Sequence, residues 1–97
     1  MWDQFDKAFE NRLRLQIMSI LMVNEVYDFN GLKEMLEATD GNLASHLKAL
    51  EKDQYIEVIK SFVGRKPYTQ YKASALGRVA FQKHLQALEA LIKKQKE

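Results

Sequence analysis

Thr39-Asp40-Gly41-Asn42-Leu43-Ala44-Ser45-His46-Leu47-Lys48-Ala49-Leu50-Glu51-Lys52 ends one helical pattern and begins another. Asp40 is a good N-cap, because a short carboxylate can accept from the free amides of a first turn; a helix is predicted from Gly41 to about Lys52. Leu43, Leu47 and Leu50 recur at helical spacing and form a stripe to be buried. Ser45, Lys48, Ala49 and Lys52 point away from that stripe, with Asn42 at its flank.

Working outward, Asp6 to Val23 reads as a helix, with Phe9, Leu13, Ile17, Ile20 and Leu21 on one side. Leu15 and Met18 fall outside that stripe, so more than one face is covered. Val26-Tyr27-Asp28-Phe29 is short, alternating and β-prone, and predicts a brief strand. Asn30 is placed to cap a helix over Gly31–Ala38, with Leu32, Met35 and Leu36 inward.

Downstream, Tyr55 to Phe62 switches to a period near two. Ile56, Val58, Lys60 and Phe62 share one face, and Tyr55, Glu57, Ile59 and Ser61 the other. Tyr68 to Ala73 is again β-rich, so a hairpin is predicted around a loop at 63–67. Pro67 marks the loop's edge, since proline cannot donate in a ladder. Ser74 caps a last helix from Ala75 to about Lys94. Gly77 in its first turn costs about 1 kcal/mol relative to Ala, which close packing of that turn would explain. Leu76, Val79, Ala80 and Ala87 form one stripe on this helix. Phe81, Leu85, Leu88 and Ile92 form a second, with nothing obvious of its own chain to cover.

The chain has 97 residues, enough for one domain spanning 1–97. It has no cysteine, which excludes disulfides, thiolate catalysis and Cys-based metal sites. No run approaches the length of a membrane span. Met1-Trp2-Asp3-Gln4-Phe5-Asp6 lacks the basic and apolar regions of a secretion signal, so a cytoplasmic location is expected. Fifteen Lys and Arg against thirteen Asp and Glu give a net charge of +2. The distribution says more than the total. No acid lies between Val58 and Leu88, where Lys60, Arg65, Lys66, Lys72, Arg78 and Lys83 all fall. A one-sign block suggests an electropositive face; the plainer alternative is a solvated basic surface.

The order of elements is helix, short strand, helix, tight turn, helix, hairpin, long helix. A helix-turn-helix followed by a β-hairpin is the winged-helix arrangement: mostly α with a small β-hairpin, the wing at about 55–73 and the last helix at about 74–95. The sequence also resembles bacterial winged-helix regulators of the MarR and ArsR type, in particular small stand-alone members. Arg14 to Leu21 looks like their first helix, Gly41 to Ile56 like their recognition helix and entry to the wing, and Tyr71 to Arg78 like the passage into the final helix. The likeness covers about Phe5 to Leu88, and its most specific piece is Asn-Leu-x-x-His-Leu-x-x-Leu at Asn42 to Leu50. It implies a DNA-binding regulator of transcription; taken with the residues, the leading reading is a sequence-specific, homodimeric regulator that binds double-stranded DNA, a repressor since no extra activation surface is seen. There are departures. Many relatives carry Ser-Arg where this chain has Ala44-Ser45, so strong guanine readout is not expected from this helix. Gln54 stands where a glycine is usual before the wing. The cysteine pairs of ArsR-type metal sensors are missing.

Residue by residue, helix 41–52 suits the major groove. Asn42 can read adenine through paired amide bonds, each good bidentate contact giving ~1–3 kcal/mol of discrimination; the alternative is a second N-cap. Ser45 can donate or accept. Gly41 lets the backbone approach, and the free amides beside it can bind phosphate. Lys48 can pair with phosphate; for it and Lys52 the alternative is solvation. His46 borders the buried stripe, as a packing residue or as a pH switch. Arg65 and Lys66 at the loop tip suit the backbone or a narrow minor groove, or are simply a hydrophilic loop. Thr39 and Lys33 could add backbone contacts.

Phe81, Leu85, Leu88 and Ile92 suggest an intermolecular helix pair, which Trp2, Phe5 and Phe9 could join; alternatively both stripes pack within one chain. A two-fold dimer would set two recognition helices ~34 Å apart on a pseudo-palindromic site. His46 and His84 are the only histidines and lie on different elements, so neither a catalytic triad nor a metal site is expected. No enzyme activity and no cofactor are expected. Such dimers have room for a small-molecule effector between the long helix and the core, although no residue announces one. The competing reading is a winged-helix protein–protein interaction module without DNA binding. Ala44-Ser45 and the small net charge favour it; Arg65, Lys66 and the acid-free block oppose it.

Overall fold

Short polar side chains set where the helices begin. The computed structural model describes residues 2–96; the side chain of Trp2, expected at an interface, lies outside that description. The expected helix from Asp6 is broken. Asp6 accepts from the Ala8 amide at 2.9 Å and starts a 3-10 turn at Lys7–Phe9. Asn11, in extended backbone, accepts from the Arg14 amide at 3.1 Å and caps α1 (Arg12–Val23). The break turns Phe9 into the core, where it is 2% exposed. After β1 (Tyr27–Asp28), Asp28 rather than Asn30 caps α2 (Phe29–Leu36) by accepting from Gly31. Thr39 rather than Asp40 caps α3 (Asp40–Lys52), its hydroxyl accepting from Asn42 N at 3.2 Å.

Strands β2 (Ile56–Val63) and β3 (Lys66–Ala73) form the hairpin, and the antiparallel sheet has the order β1-β3-β2. The register runs from Ile56 opposite Ala73 to Val63 opposite Lys66. The expected loop at 63–67 therefore shrinks to a turn at Gly64-Arg65. Gly64 has φ +65° and Arg65 is not among the positive-φ residues, the pattern of a type II′ turn, whose twist matches that of the strands. Pro67 sits in the ladder opposite Phe62, where β1 does not reach the other edge of β3.

Ile17, Met18 and Leu21 of α1, Leu32 of α2, Leu43, Leu47 and Leu50 of α3, and Ile56 and Tyr71 of the hairpin close one core. Full burial of each aliphatic side chain contributes about 1.5–3 kcal/mol. The last helix, α4 (Ala75–Lys96), is fastened at its start. Ser74 Oγ accepts from Gly77 N at 2.9 Å and donates to the Gln54 carbonyl at 2.7 Å. A Cβ on Gly77 would overlap the Tyr55 carbonyl, so the close packing expected of this glycine is present. Arg78 donates to the Leu21 and Met22 carbonyls at 3.4 and 3.3 Å, supplying a cation to the C-terminal end of α1.

That fastening sets the rotation of α4 and corrects the expected stripes. The inward face is Gly77, Phe81, His84 and Ala87, while Leu76 and Val79 are exposed. Phe9 and Phe81, expected at an intermolecular interface, lie instead in the chain's own core, edge to face at 5.1 Å. His84 is buried; its Nδ1 accepts from Asp6 N at 3.1 Å, and its ring meets Phe5 and Phe9 edge-on. No helix among the described residues is long and apolar enough to cross a membrane.

Candidate nucleic-acid interface

The buried stripe on α3 leaves its opposite side in water. Gly41, Asn42, Ala44, Ser45, Lys48 and Lys52 are all exposed. Because Thr39 caps the helix, the Asn42 side chain is not used as a cap, and it makes no hydrogen bond among the described residues. No heavy atom lies within 4 Å of where a Gly41 Cβ would stand, so this backbone is open to close approach. Lys33 pairs with Asp40 at 2.9 Å, which sets a cation against the acid nearest the exposed start of α3. An exposed pair of this kind adds little stability. Its effect here is to soften an acid that would repel phosphate.

Two clefts flank α3. On one side, half-buried His46 lines a groove with Thr39 and Asn42 and with Asn11, Arg12 and Gln16 from the start of α1. On the other, Ala44, Lys48 and Glu51 of α3 face Lys60 and Thr69 of the hairpin over a floor of Leu47, Val58 and Tyr71. The sequence reading singled out none of Arg12, Gln16, Lys60 and Thr69 as site residues. For Lys60 a signal existed, since alternation put it on the same face as Ile56 and Val58. For Arg12 and Gln16 the approach of α1 to α3 is a tertiary fact that periodicity does not carry.

Arg65 stands in the hairpin turn and Lys66 at the first position of β3, both exposed. Neither makes an ion pair among the described residues, whereas Lys72 is drawn toward Glu57 across the ladder at 3.9 Å and Arg78 is held by α1. The cationic block thus divides into structural members near the core and free members at the tip. The remaining expected interface residues divide as well. Phe5 is half-buried beside His84, while Leu85, Leu88 and Ile92 are 44%, 37% and 54% exposed along the outer part of α4.

A helix-turn-helix whose second helix faces water beside a protruding, cation-tipped hairpin defines the winged-helix class of DNA-binding domains. The family model described as a winged helix DNA-binding domain matches residues 13–92, and the chain belongs to that family. It is 39% identical over 87 residues to an uncharacterized protein of Methanocaldococcus jannaschii, covering 90% of this chain and 95% of that one. Its fold matches a transcriptional regulator homologue from Pyrococcus horikoshii OT3 with a TM-score of 0.86 at 28% identity, over 93% of this chain and 89% of the other. A structure assigned to the MarR family from Porphyromonas gingivalis W83 shares the fold, with a TM-score of 0.69 at 20% identity, over 94% of this chain and 84% of the other. Family and fold are those of transcriptional regulators, not of enzymes.

Proposed function

We propose that this chain is a one-domain, cytoplasmic, homodimeric repressor of transcription that binds double-stranded DNA sequence-specifically. In this reading α3 lies in the major groove, with Asn42 and Ser45 toward base edges, Gly41 and Thr39 near a phosphate, and His46 and Lys48 on its two borders. Arg65 and Lys66 follow the backbone or enter the minor groove. Leu85, Leu88 and Ile92 of two copies pair, with Phe5 at the margin. A small-molecule effector would have room in the groove between Phe5, Tyr55 and the start of α4.

The observation that carries the proposal is an outward polar helix face that meets the hairpin across one cleft at Lys48 and Lys60, with the unpaired cations Arg65 and Lys66 at the hairpin's far end. Fluorescence titration of labelled duplexes at two salt concentrations tests it. Neutralising about eight phosphates gives a slope near −7 in log affinity against log salt. Selection from random duplexes should return a pseudo-palindrome with half-sites ~34 Å apart. An absence of binding at low salt would reject the proposal and favour a protein-interaction module.

A further inference from the structure

The fold leaves apolar surface bare on α4 and at the hairpin tip, and the tip's lies beside unpaired cations. Phe62 and Val63 are 72% and 63% exposed, although their strand begins at Ile56, which is 3% exposed. Alternation puts Phe62 on the face that carries Val58 and Lys60, the face turned toward α3, and its register partner is Pro67. Core packing on this face stops at Val58 and Tyr71. Four residues, Lys60 to Val63, extend past it, roughly 13 Å at the rise of a strand. That exceeds the ~7.5 Å depth of the minor groove.

The partner follows from the charge. On the same part of the hairpin stand Lys60, on the face of Phe62, Arg65 in the turn, and Lys66 on the other face opposite Val63, without ion pairs among the described residues and without an acid anywhere from Val58 to Leu88 in the sequence. A purely apolar protein groove has no use for that cation set. Duplex DNA offers phosphates outside and apolar deoxyribose faces within the minor groove. The outward face of α3 meanwhile carries short side chains at Gly41, Ala44 and Ser45, so direct readout there falls mainly to Asn42 and leaves room for a second source of specificity in the wing.

We propose that Phe62 is a specificity-determining wedge, a role that rests on the duplex-binding reading above. With Arg65 in the minor groove, the ring packs on deoxyribose and pries at the neighbouring base step. The wing then reads how readily the duplex deforms, independently of the bases under α3.

The test uses the full chain and labelled duplexes obtained by selection, with the wing's position located by hydroxyl-radical footprinting. At that position the duplex carries a flexible TA step, a GC step, or inosine–cytosine pairs, which keep the major-groove face of G·C but lack its minor-groove amino group. The wild type should bind the TA and inosine duplexes about tenfold tighter than the GC duplex. Phe62→Ser should reduce that preference to about twofold and weaken binding to the TA duplex about tenfold. Phe62→Leu, which keeps an apolar wedge, should retain most of both. The salt slope should match among all three, since no phosphate contact is removed. Energy transfer between the duplex ends should report a bend with the wild type that Phe62→Ser loses. Both variants should keep the fold, because the ring is exposed. If wild type and Phe62→Ser bind all three duplexes alike with the same end-to-end distance, the wedge is overturned while DNA binding stands. If the wild type binds no duplex at low salt, both ideas fail and the tip is a protein contact.

Discussion

Asn42 shows how one hydrogen bond decides what a side chain is free to do. Its backbone amide is taken by the Thr39 hydroxyl, so its carboxamide is left over on an exposed face. Replacing Asn42 by Ala should lower the ratio of specific to random-duplex affinity about tenfold and change random-duplex affinity less than about twofold. Competition titrations measure both, and an unaltered ratio would remove Asn42 from base recognition. Gln54 is a second residue with a legible consequence. It has φ +65° at the end of α3, where Tyr55 N donates to the Leu50 carbonyl at 3.0 Å and Gln54 N to the Glu51 carbonyl at 2.9 Å. This is the Schellman arrangement, in which glycine is the residue without a Cβ penalty. The resemblance had marked the position as one where glycine is usual, and the backbone supplies the reason. Gln54→Gly should raise stability by about 1 kcal/mol after the entropic cost of glycine is set against the relief. In urea the unfolding midpoint should rise with no change in slope.

Among the elements, the hairpin and the N-terminal segment make separate predictions. If the tip cations neutralise phosphates, Arg65→Ala together with Lys66→Ala should weaken binding to every duplex and reduce the salt slope by about 1–2. An unchanged slope would detach the tip from DNA. The N-terminal segment is clasped where the Tyr55 hydroxyl donates to Asp6 at 2.5 Å. That bond to a carboxylate, with burial second, pushes the Tyr55 proton up from 10.0 to about 12. Between those values the unfolded chain has lost the proton and the folded chain keeps it. The clasp's contribution is therefore complete below about pH 10 and disappears as pH rises toward 12. Tyr55→Phe should cost about 1 kcal/mol at neutral pH and flatten the alkaline limb of a stability profile. At this scale the sequence was most legible where the periodicity was local. Leu43, Leu47 and Leu50 are buried as their spacing demanded, and Ile56 and Val58 share the inward hairpin face. Helix starts slipped by a residue or two where neighbouring cap formers compete, as Thr39 does with Asp40 and Asp28 with Asn30. The rotation of α4 was illegible for a different reason. It is set by Gly77 against the Tyr55 carbonyl, a contact between distant elements, and this turned Phe81 inward and Leu76 outward. His84 escaped for the same reason, since nothing local shows that a histidine will be enclosed by Phe5, Phe9 and the Asp6 amide.

The whole molecule measures 58 × 25 × 21 Å with a radius of gyration of 14.8 Å. A compact chain of this length would have a radius of roughly 12.5 Å. The hairpin finger and α4, about 33 Å long at 1.5 Å per residue, supply projections that such a chain lacks. Along the outer part of α4 the apolar side chains Leu85, Leu88 and Ile92 remain in water at intervals that place them along one flank of the helix. Each would yield about 25 cal/mol for every Å² of apolar surface that a second copy covers. Pairing there would couple two copies of α3 on one duplex, so that the second half-site is met at high effective concentration. Leu88→Glu together with Ile92→Glu tests this. Both positions are exposed, so the monomer fold should survive, whereas two carboxylates per helix would be desolvated on pairing. Sedimentation equilibrium should find the wild type at twice its 11.3 kDa chain mass and the variant at the chain mass itself. Affinity for a pseudo-palindromic site should fall by about 100-fold or more, while affinity for an isolated half-site should stay within about twofold. A variant that still sediments as a dimer, or a wild type that is monomeric and yet binds the full site no better than the half-site, would remove α4 from assembly and leave each chain to act on DNA alone.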